Sequence, residues 1–225
     1  MLLTISGVLE NDDLHRLRKD VSNFAWRDGK KTAGKTASGV KHNEQLDLNS
    51  AKGRALQETI IQALSKNPVL AAAARPRQFS NLLISRTHAG GRYGPHIDNA
   101  LMRKGGARLR TDLSFTLFLS DPDQYDGGEL IVHSAGAAQS LKGNAGDLVL
   151  YPSSSIHEVA QVKRGARLVC AGWIESVIAD VAQRELLFDL QNLRVSLSGT
   201  LPAQSAELLT LDKTIANLLR MWAKP

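Results

Sequence analysis

The chain has 225 residues and a mass of 24.4 kDa, with 43% hydrophobic and 22% charged residues, a balance that supports one sizeable core and excludes a disordered tail. No apolar run approaches the roughly 18 residues that span a bilayer. The opening MLLTISGVLENDD has neither a basic leader nor a small-residue cleavage site, so a cytoplasmic protein with no membrane role is expected. A net charge of +6 and a pI near 9.6 point to an anionic substrate or an acidic partner, while the lack of interleaved aromatic residues argues against nucleic acid. The single cysteine, Cys170, lies in the apolar run ARLVCAGWI and rules out an internal disulfide or a thiolate metal cage.

In chain order, LLTISGVL reads as a strand, and Asn11 or Asp12 can cap a helix in DLHRLRKDV whose Leu14, Leu17 and Val21 share one face. Residues 27–42, RDGKKTAGKTASGVKH, carry Lys30, Lys31, Lys35 and Lys41 among small residues. This mixture reads as a solvated basic loop, or as one that orders over an anionic substrate at a site mouth. Ser50 can cap a second helix, residues 51–66, with Leu56, Ile60, Ile61 and Leu64 on its apolar face and a stop at Asn67 and Pro68.

After the alanines at 71–74 and the breaker RPR, the periodicity changes to short runs: FSNLLISR, GRYGPHI, LSFTLFLS, GELIVHS, AAQSLKG, GDLVLYP, IHEVAQV and ARLVCAGWI. Turn material separates them, including KRG at 163–165. Such spacing predicts a mainly β fold, specifically a double-stranded β-helix (jelly roll) enclosing a cavity. Beyond residue 178 helical spacing returns in Ile178, Val181, Leu186 and Leu190, and again in SAELLTLDKTIANLLRMW. A small C-terminal helical hairpin is expected, with Met221 and Trp222 in its core. The expected organisation is a jelly-roll domain over 1–177 with N-terminal helical support, and a helical extension over 178–225 packed on it. The apolar face of that extension is a candidate homo-oligomer contact.

His96 and Asp98 are two residues apart, which in a strand puts both on one face, and His157 follows on a later strand. Two imidazoles and a carboxylate in this order have the pattern of a facial triad on mononuclear iron, with other coordination positions left open. Arg167, ten residues beyond His157, can return to the same cavity after the turn and grip a carboxylate in a bidentate pair. Tyr93 can give its hydroxyl to a bound co-substrate or pack over the metal. Arg92 and Asn99 are candidate rim residues. Glu129, His133 and Trp173 are weaker candidates, each better explained as a strand or core residue, and Arg164 fits a place in solvent.

With those residues in place, the chain resembles the iron(II)- and 2-oxoglutarate-dependent dioxygenases, and within them the PKHD-type hydroxylases related to prolyl 4-hydroxylase. The resemblance rests on KHNEQLD, NPVLAAAARPRQFSNLLISR, GGRYGPHIDNALM, LSFTLFLSDPDQYDGGELIV, GDLVLYPSSSIHEV, RGARLVCAGWIES and the terminal LLRMW. It implies Fe(2+) on His96, Asp98 and His157, 2-oxoglutarate on Arg167, and O2 as oxidant, with L-ascorbate a candidate reductant. The implied reaction releases succinate and CO2 while hydroxylating an unidentified small-molecule or peptide substrate, with an amino acid or a siderophore-like metabolite among the options. Some relatives are linked with bacterial iron uptake. A cupin-like metalloenzyme without 2-oxoglutarate, a non-catalytic metal or ligand sensor, and zinc hydrolysis are the competing readings. None of them requires Arg167 at this spacing.

Overall fold

The computed structural model describes residues 1–32 and 38–224. It starts with β1 (Leu3–Ile5), α1 (Asn11–Val21) and three short strands, β2 (Trp26–Asp28), β3 (Lys41–His42) and β4 (Glu44–Leu46). Helices α2 (Ala51–Lys66) and α3 (Pro68–Ala74) follow. Then come β5 (Pro76–Phe79), β6 (Leu83–His88), β7 (Arg92–His96), β8 (Leu101–Lys104), β9 (Ala107–Arg110) and β10 (Leu113–Phe118). The second half of the β region is β11 (Tyr125–Gly127), β12 (Leu130–Ser134), β13 (Ala137–Leu141), β14 (Leu148–Pro152), β15 (His157–Val159) and β16 (Val162–Ser176). Helices α4 (Val181–Ser198) and α5 (Ala206–Trp222) close the described chain.

The larger sheet has the order β1-β14-β10-β16-β6-β4-β2, with β5 and β11 also paired to β16, and the smaller has the order β13-β12-β15-β7-β3. Both are antiparallel, and the hairpin β8-β9 stands apart. This is the expected jelly roll.

Alternation along the central strands sorts the two faces of the larger sheet. On β10, Leu113, Phe115 and Leu117 join one core cluster with Leu14, Leu17, Leu56, Ile60, Leu64 and Leu70 of the three N-terminal helices. The intervening Ser114 and Thr116 line the cavity on the other face. β16 repeats the division, with Cys170 and Ile174 toward the helices and Arg167, Val169, Ala171 and Trp173 toward the cavity. Burial of each large aliphatic or aromatic side chain stabilises the fold by roughly 1.5–3 kcal/mol, so the helix layer holds the larger sheet and leaves its inner face free for polar residues. A second cluster, Phe118, Leu130, Val132, Val149, Tyr151 and Val169, joins the two sheets behind that cavity. Cys170 is fully buried and burial pushes its thiol up to about 12, as suits a core residue.

Several local expectations change. Glu10 is the N-cap of α1 and makes no side-chain cap, so neither Asn11 nor Asp12 fills that position; Asp12 and Asp13 instead sit in the positive first turn. Ser50 caps α2 as expected, accepting from Gly53 N at 3.1 Å. The alanine stretch is itself a helix. Asn67 caps it by accepting from Leu70 N at 2.9 Å, and Pro68 occupies the first turn, where its missing N–H costs nothing. The KRG segment is no turn, because β16 runs straight through it with Gly165 at φ 73°, and chain reversal falls earlier, between β15 and β16. The hairpin β8-β9 and the short strands β2, β3 and β4 lie outside the sequence expectation.

The C-terminal hairpin forms, with Ile178 buried and Leu190 packed on its cluster as expected, but with the rest of the stripe changed. Val181 and Leu186 are exposed, and the residues α4 buries are Arg184 and Leu187. Arg184 donates to the carbonyls of Ile178 and Ala179 at 2.7 and 3.1 Å, which ties α4 to the connection that precedes it. Trp222 packs on the Ile178, Leu187 and Ile215 cluster, whereas Met221 faces solvent. No helix among the described residues is long and apolar enough to cross a membrane.

Candidate active site

His157 opens β15 directly opposite His96 at the end of β7, so strand register alone brings the two imidazoles together. Asp98 lies just past the end of β7. One ligand atom from each of the three residues falls within 4.8 Å of the others, and His157 Nε2 is 3.6 Å from Asp98 Oδ2. Each histidine Nδ1 faces a carbonyl oxygen: Gly94 O at 2.9 Å from His96, and Ser155 O at 3.0 Å from His157. A carbonyl only accepts, so Nδ1 carries the proton in both rings and the Nε2 lone pairs are left for a metal. Burial, reinforced by His157, holds His96 down to about 4, which keeps that imidazole neutral near pH 7. The donor set, two nitrogens and one carboxylate, suits a ferrous ion.

Asp98 is held from behind. Ser114 Oγ donates to Asp98 Oδ2 at 2.6 Å and lies 2.8 Å from Ser153 Oγ. Partners of this kind typically tune metal affinity 10- to 100-fold. Ser114→Ala is therefore expected to weaken ferrous binding by about 10-fold or more with little loss of fold; unchanged affinity in a metal titration would show that Asp98 needs no such support.

Tyr93 stacks on His96 with ring centres 3.7 Å apart, and Tyr151 meets His157 edge-on at 5.0 Å. Burial pushes the Tyr93 phenol up to about 12, so it remains a donor near neutral pH. Arg167 is 3% exposed. Its guanidinium lies 5.8 Å from the Phe118 ring centre, its Nε has no hydrogen-bond partner, and the nearby Tyr125 hydroxyl has none either. Burial lowers its pKa below the usual arginine value. Glu129 acts on it only through space, and a buried guanidinium facing a cavity with no carboxylate ion-paired to it among the described residues is a strong demand for an anion. Space for the side chain comes from Gly128, at φ 70°, where a Cβ would stand 3.1 Å from Arg167 Cδ.

His96, Asp98, His157, Ser114, Tyr93, Tyr151 and Arg167 all line one cavity of about 620 Å³. Asn99 and Trp173 also line it, and Trp173 Nε1 is buried without a partner. Arg92 is exposed on β7 and Glu129 is half-buried, and neither is part of the lining. His133 pairs with Glu158 at 3.3 Å, and Arg164 pairs in solvent with Asp126 at 2.7 Å. Sequence reasoning missed Ser114, Thr116 and Gln45, and read Lys41 only as part of a basic loop, solvated or closing over a site mouth. For the first two the signal was available as polar residues alternating inside LSFTLF. Part of the basic stretch, residues 33–37 with Lys35, lies outside the described residues. Its last lysine, Lys41, is buried in the cavity wall, and burial lowers its pKa to about 8.

A fold of this kind with a His-Asp-His cluster at its mouth defines the class. Residues 82–175 match the 2OG-Fe(II) oxygenase superfamily, and residues 182–224 match the PKHD-type hydroxylase C-terminal domain. A PKHD-type hydroxylase of Hyphomonas neptunium is 48% identical over 222 residues, covering 99% of both chains. The chain belongs to the PKHD-type hydroxylases, a family of 2-oxoglutarate-dependent enzymes. Among solved structures, a 2OG-Fe(II) oxygenase family oxidoreductase from Burkholderia pseudomallei has a TM-score of 0.55 at 16% identity, over 77% of this chain and 84% of that one. A Pseudomonas putida prolyl-4-hydroxylase has a TM-score of 0.51 at 19% identity, over 78% and 92%. These two likenesses are of fold.

Proposed function

We propose that this chain hydroxylates a C–H bond of an acidic small molecule or peptide, with His96, Asp98 and His157 holding one ferrous ion and Arg167 holding the far carboxylate of 2-oxoglutarate. The observation that carries the reading is the convergence of three metal-competent atoms with a buried, unpaired arginine in the same cavity. Ferrous iron chelated by 2-oxoglutarate supplies oxygen activation, with release of succinate and CO2 and oxidation of an otherwise unreactive C–H bond. The chain's own contribution is orientation and exclusion. Tyr93 and Tyr151 fix the two imidazole planes, Ser114 fixes the carboxylate, and Leu130 and Val169 keep the space near Arg167 apolar. Tyr93 offers its retained phenolic proton to a co-substrate oxygen.

The cavity volume lies within the range typical of sites for small ligands, and leaves room for a primary substrate beside 2-oxoglutarate. A cupin-like site gains no support, since among the described residues no further histidine or acid joins the cluster. In the same reading, residues 1–177 are the oxygenase unit and 178–225 an accessory hairpin docked through Phe188, which packs on the helix-backed core, and through Arg75, which donates to Leu187 O at 3.4 Å. The test is formation of succinate from 2-oxoglutarate in air. Iron-dependent succinate, lost on chelation and restored by ferrous salt, is expected; production indifferent to iron, or none at all, contradicts the reading.

A further inference from the structure

The cavity contains a second buried cation to which the proposed co-substrate chemistry gives no task. Lys41 is 4% exposed and lies in the cavity wall. Its ammonium sits 4.9 Å from the centre of the Tyr93 ring and donates to Thr32 Oγ1 at 3.1 Å, and Thr32 Oγ1 is in turn 2.5 Å from Gln45 Oε1. Among the described residues no carboxylate forms an ion pair with it; Asp98 and Asp28 act on it only through space. Residues 33–37, AGKTA, contain no acid either. An ammonium has three donors, and burying one against neutral partners is unfavourable unless an anion completes the site.

Lys41 and Arg167 enter the cavity from different sheets. Arg167 projects from β16 of the larger sheet toward Phe118, Tyr125 and Gly128. Lys41 is on β3, the edge of the smaller sheet, paired with Tyr93. They share no ring or hydrogen-bond partner among those contacts. Tyr93 touches both Lys41 and His96, which places the lysine beside the metal cluster. In the same lining, Gln45, Asn43 and Ser85 supply uncharged polar groups, with Asn43 Nδ2 donating to Ser85 Oγ at 2.6 Å. One point charge with neutral hydrogen-bonding neighbours, and no second cation or guanidinium fork, matches a monoanion better than a phosphate.

We propose that Lys41, positioned by Thr32 and Gln45, anchors a carboxylate of the primary substrate and so restricts this enzyme to acids. The inference rests on the oxygenase reading above. The carboxylate can belong to a free amino acid-like metabolite or to an acidic side chain of a peptide, and the test separates these. Under nitrogen, the ferrous, 2-oxoglutarate-loaded protein is titrated calorimetrically with matched probes. These are N-acetyl amino acids against their amides, and capped tripeptides with a central glutamate against a central glutamine. Wild type is expected to bind one acidic set at least about tenfold tighter than its neutral counterpart, the effect of roughly one charge-assisted contact.

Lys41→Met is expected to abolish that preference and leave 2-oxoglutarate affinity within about twofold, whereas Lys41→Arg keeps most of the preference. Thr32→Val, which loosens the lysine without removing its charge, is expected to reduce the preference and keeps the proposal testable should Lys41→Met fail to fold. Preference for the N-acetyl acids assigns a small-molecule substrate, and preference for the glutamate tripeptides assigns a peptide. The proposal is overturned by a wild type indifferent to the carboxylate, or by a Lys41→Met protein that retains the preference. It is also overturned if Lys41→Met weakens 2-oxoglutarate as strongly as Arg167→Ala, since Lys41 would then belong to the co-substrate. Wild type that binds no 2-oxoglutarate at all overturns the oxygenase reading itself, and this inference with it.

Discussion

His157→Ala is expected to reduce 2-oxoglutarate turnover by about 10³-fold or more, because a bound metal supplies several kcal/mol of transition-state stabilisation. His157 is the most buried of the triad, at 5% exposure, and stands opposite His96 in the strand register. Its removal leaves one imidazole and one carboxylate, a set that no longer fixes the metal's open positions. The fold should survive, since the residue packs against Tyr151 and the site rather than the helix-backed core. Ferrous titration with circular dichroism as the control checks both halves. Wild-type turnover in a folded variant would remove His157 from the metal site.

Arg167→Ala should separate the co-substrate from the metal. Truncating one partner of a buried charge pair costs about 2–5 kcal/mol, so the 2-oxoglutarate dissociation constant is expected to rise from roughly 30-fold to several thousand-fold. Ferrous affinity should change little, because Arg167 contacts Tyr125 and Phe118 rather than any of the three ligands. Arg167→Lys should recover only part of the loss, since an ammonium cannot reproduce a bidentate fork. An unaltered 2-oxoglutarate titration in Arg167→Ala would defeat the assignment.

The triad could be read before the fold because its chemistry is local: His-x-Asp and a distant histidine survive any small error in strand bounds. Asp98 indeed lies beyond the end of β7 and still joins the cluster. Arg167 lines the cavity although the turn expected at residues 163–165 does not form. It does so because Gly165, at positive φ, lets β16 continue past β11 and the alternation beyond it brings Arg167, Val169, Ala171 and Trp173 to one face. The Asn-Pro pair at 67–68 was read as an end when it is equally a beginning; a cap followed by proline at the first helical turn marks α3.

Lys41 was hidden by its neighbours. A lysine among glycine, threonine, alanine and serine has the composition of a solvated loop, and its burial depends on β3 pairing with β7 some fifty residues away. No local pattern encodes that pairing. Half of the C-terminal stripe, Val181 and Leu186, departs from the expectation for a related reason, while Ile178 and Leu190 meet it. Arg184 is buried because the Ile178 and Ala179 carbonyls satisfy its guanidinium, which apolar periodicity does not register, while Val181 and Leu186 are left outside.

The most direct measurement is an anaerobic titration of 2-oxoglutarate into the ferrous-loaded protein, followed by the weak visible metal-to-ligand charge-transfer band. A saturable band in wild type, shifted to much higher 2-oxoglutarate in Arg167→Ala and absent in His157→Ala, is the predicted result. No band in wild type with one equivalent of iron demonstrably bound would contradict the proposed site, since iron would then be held without the co-substrate on it.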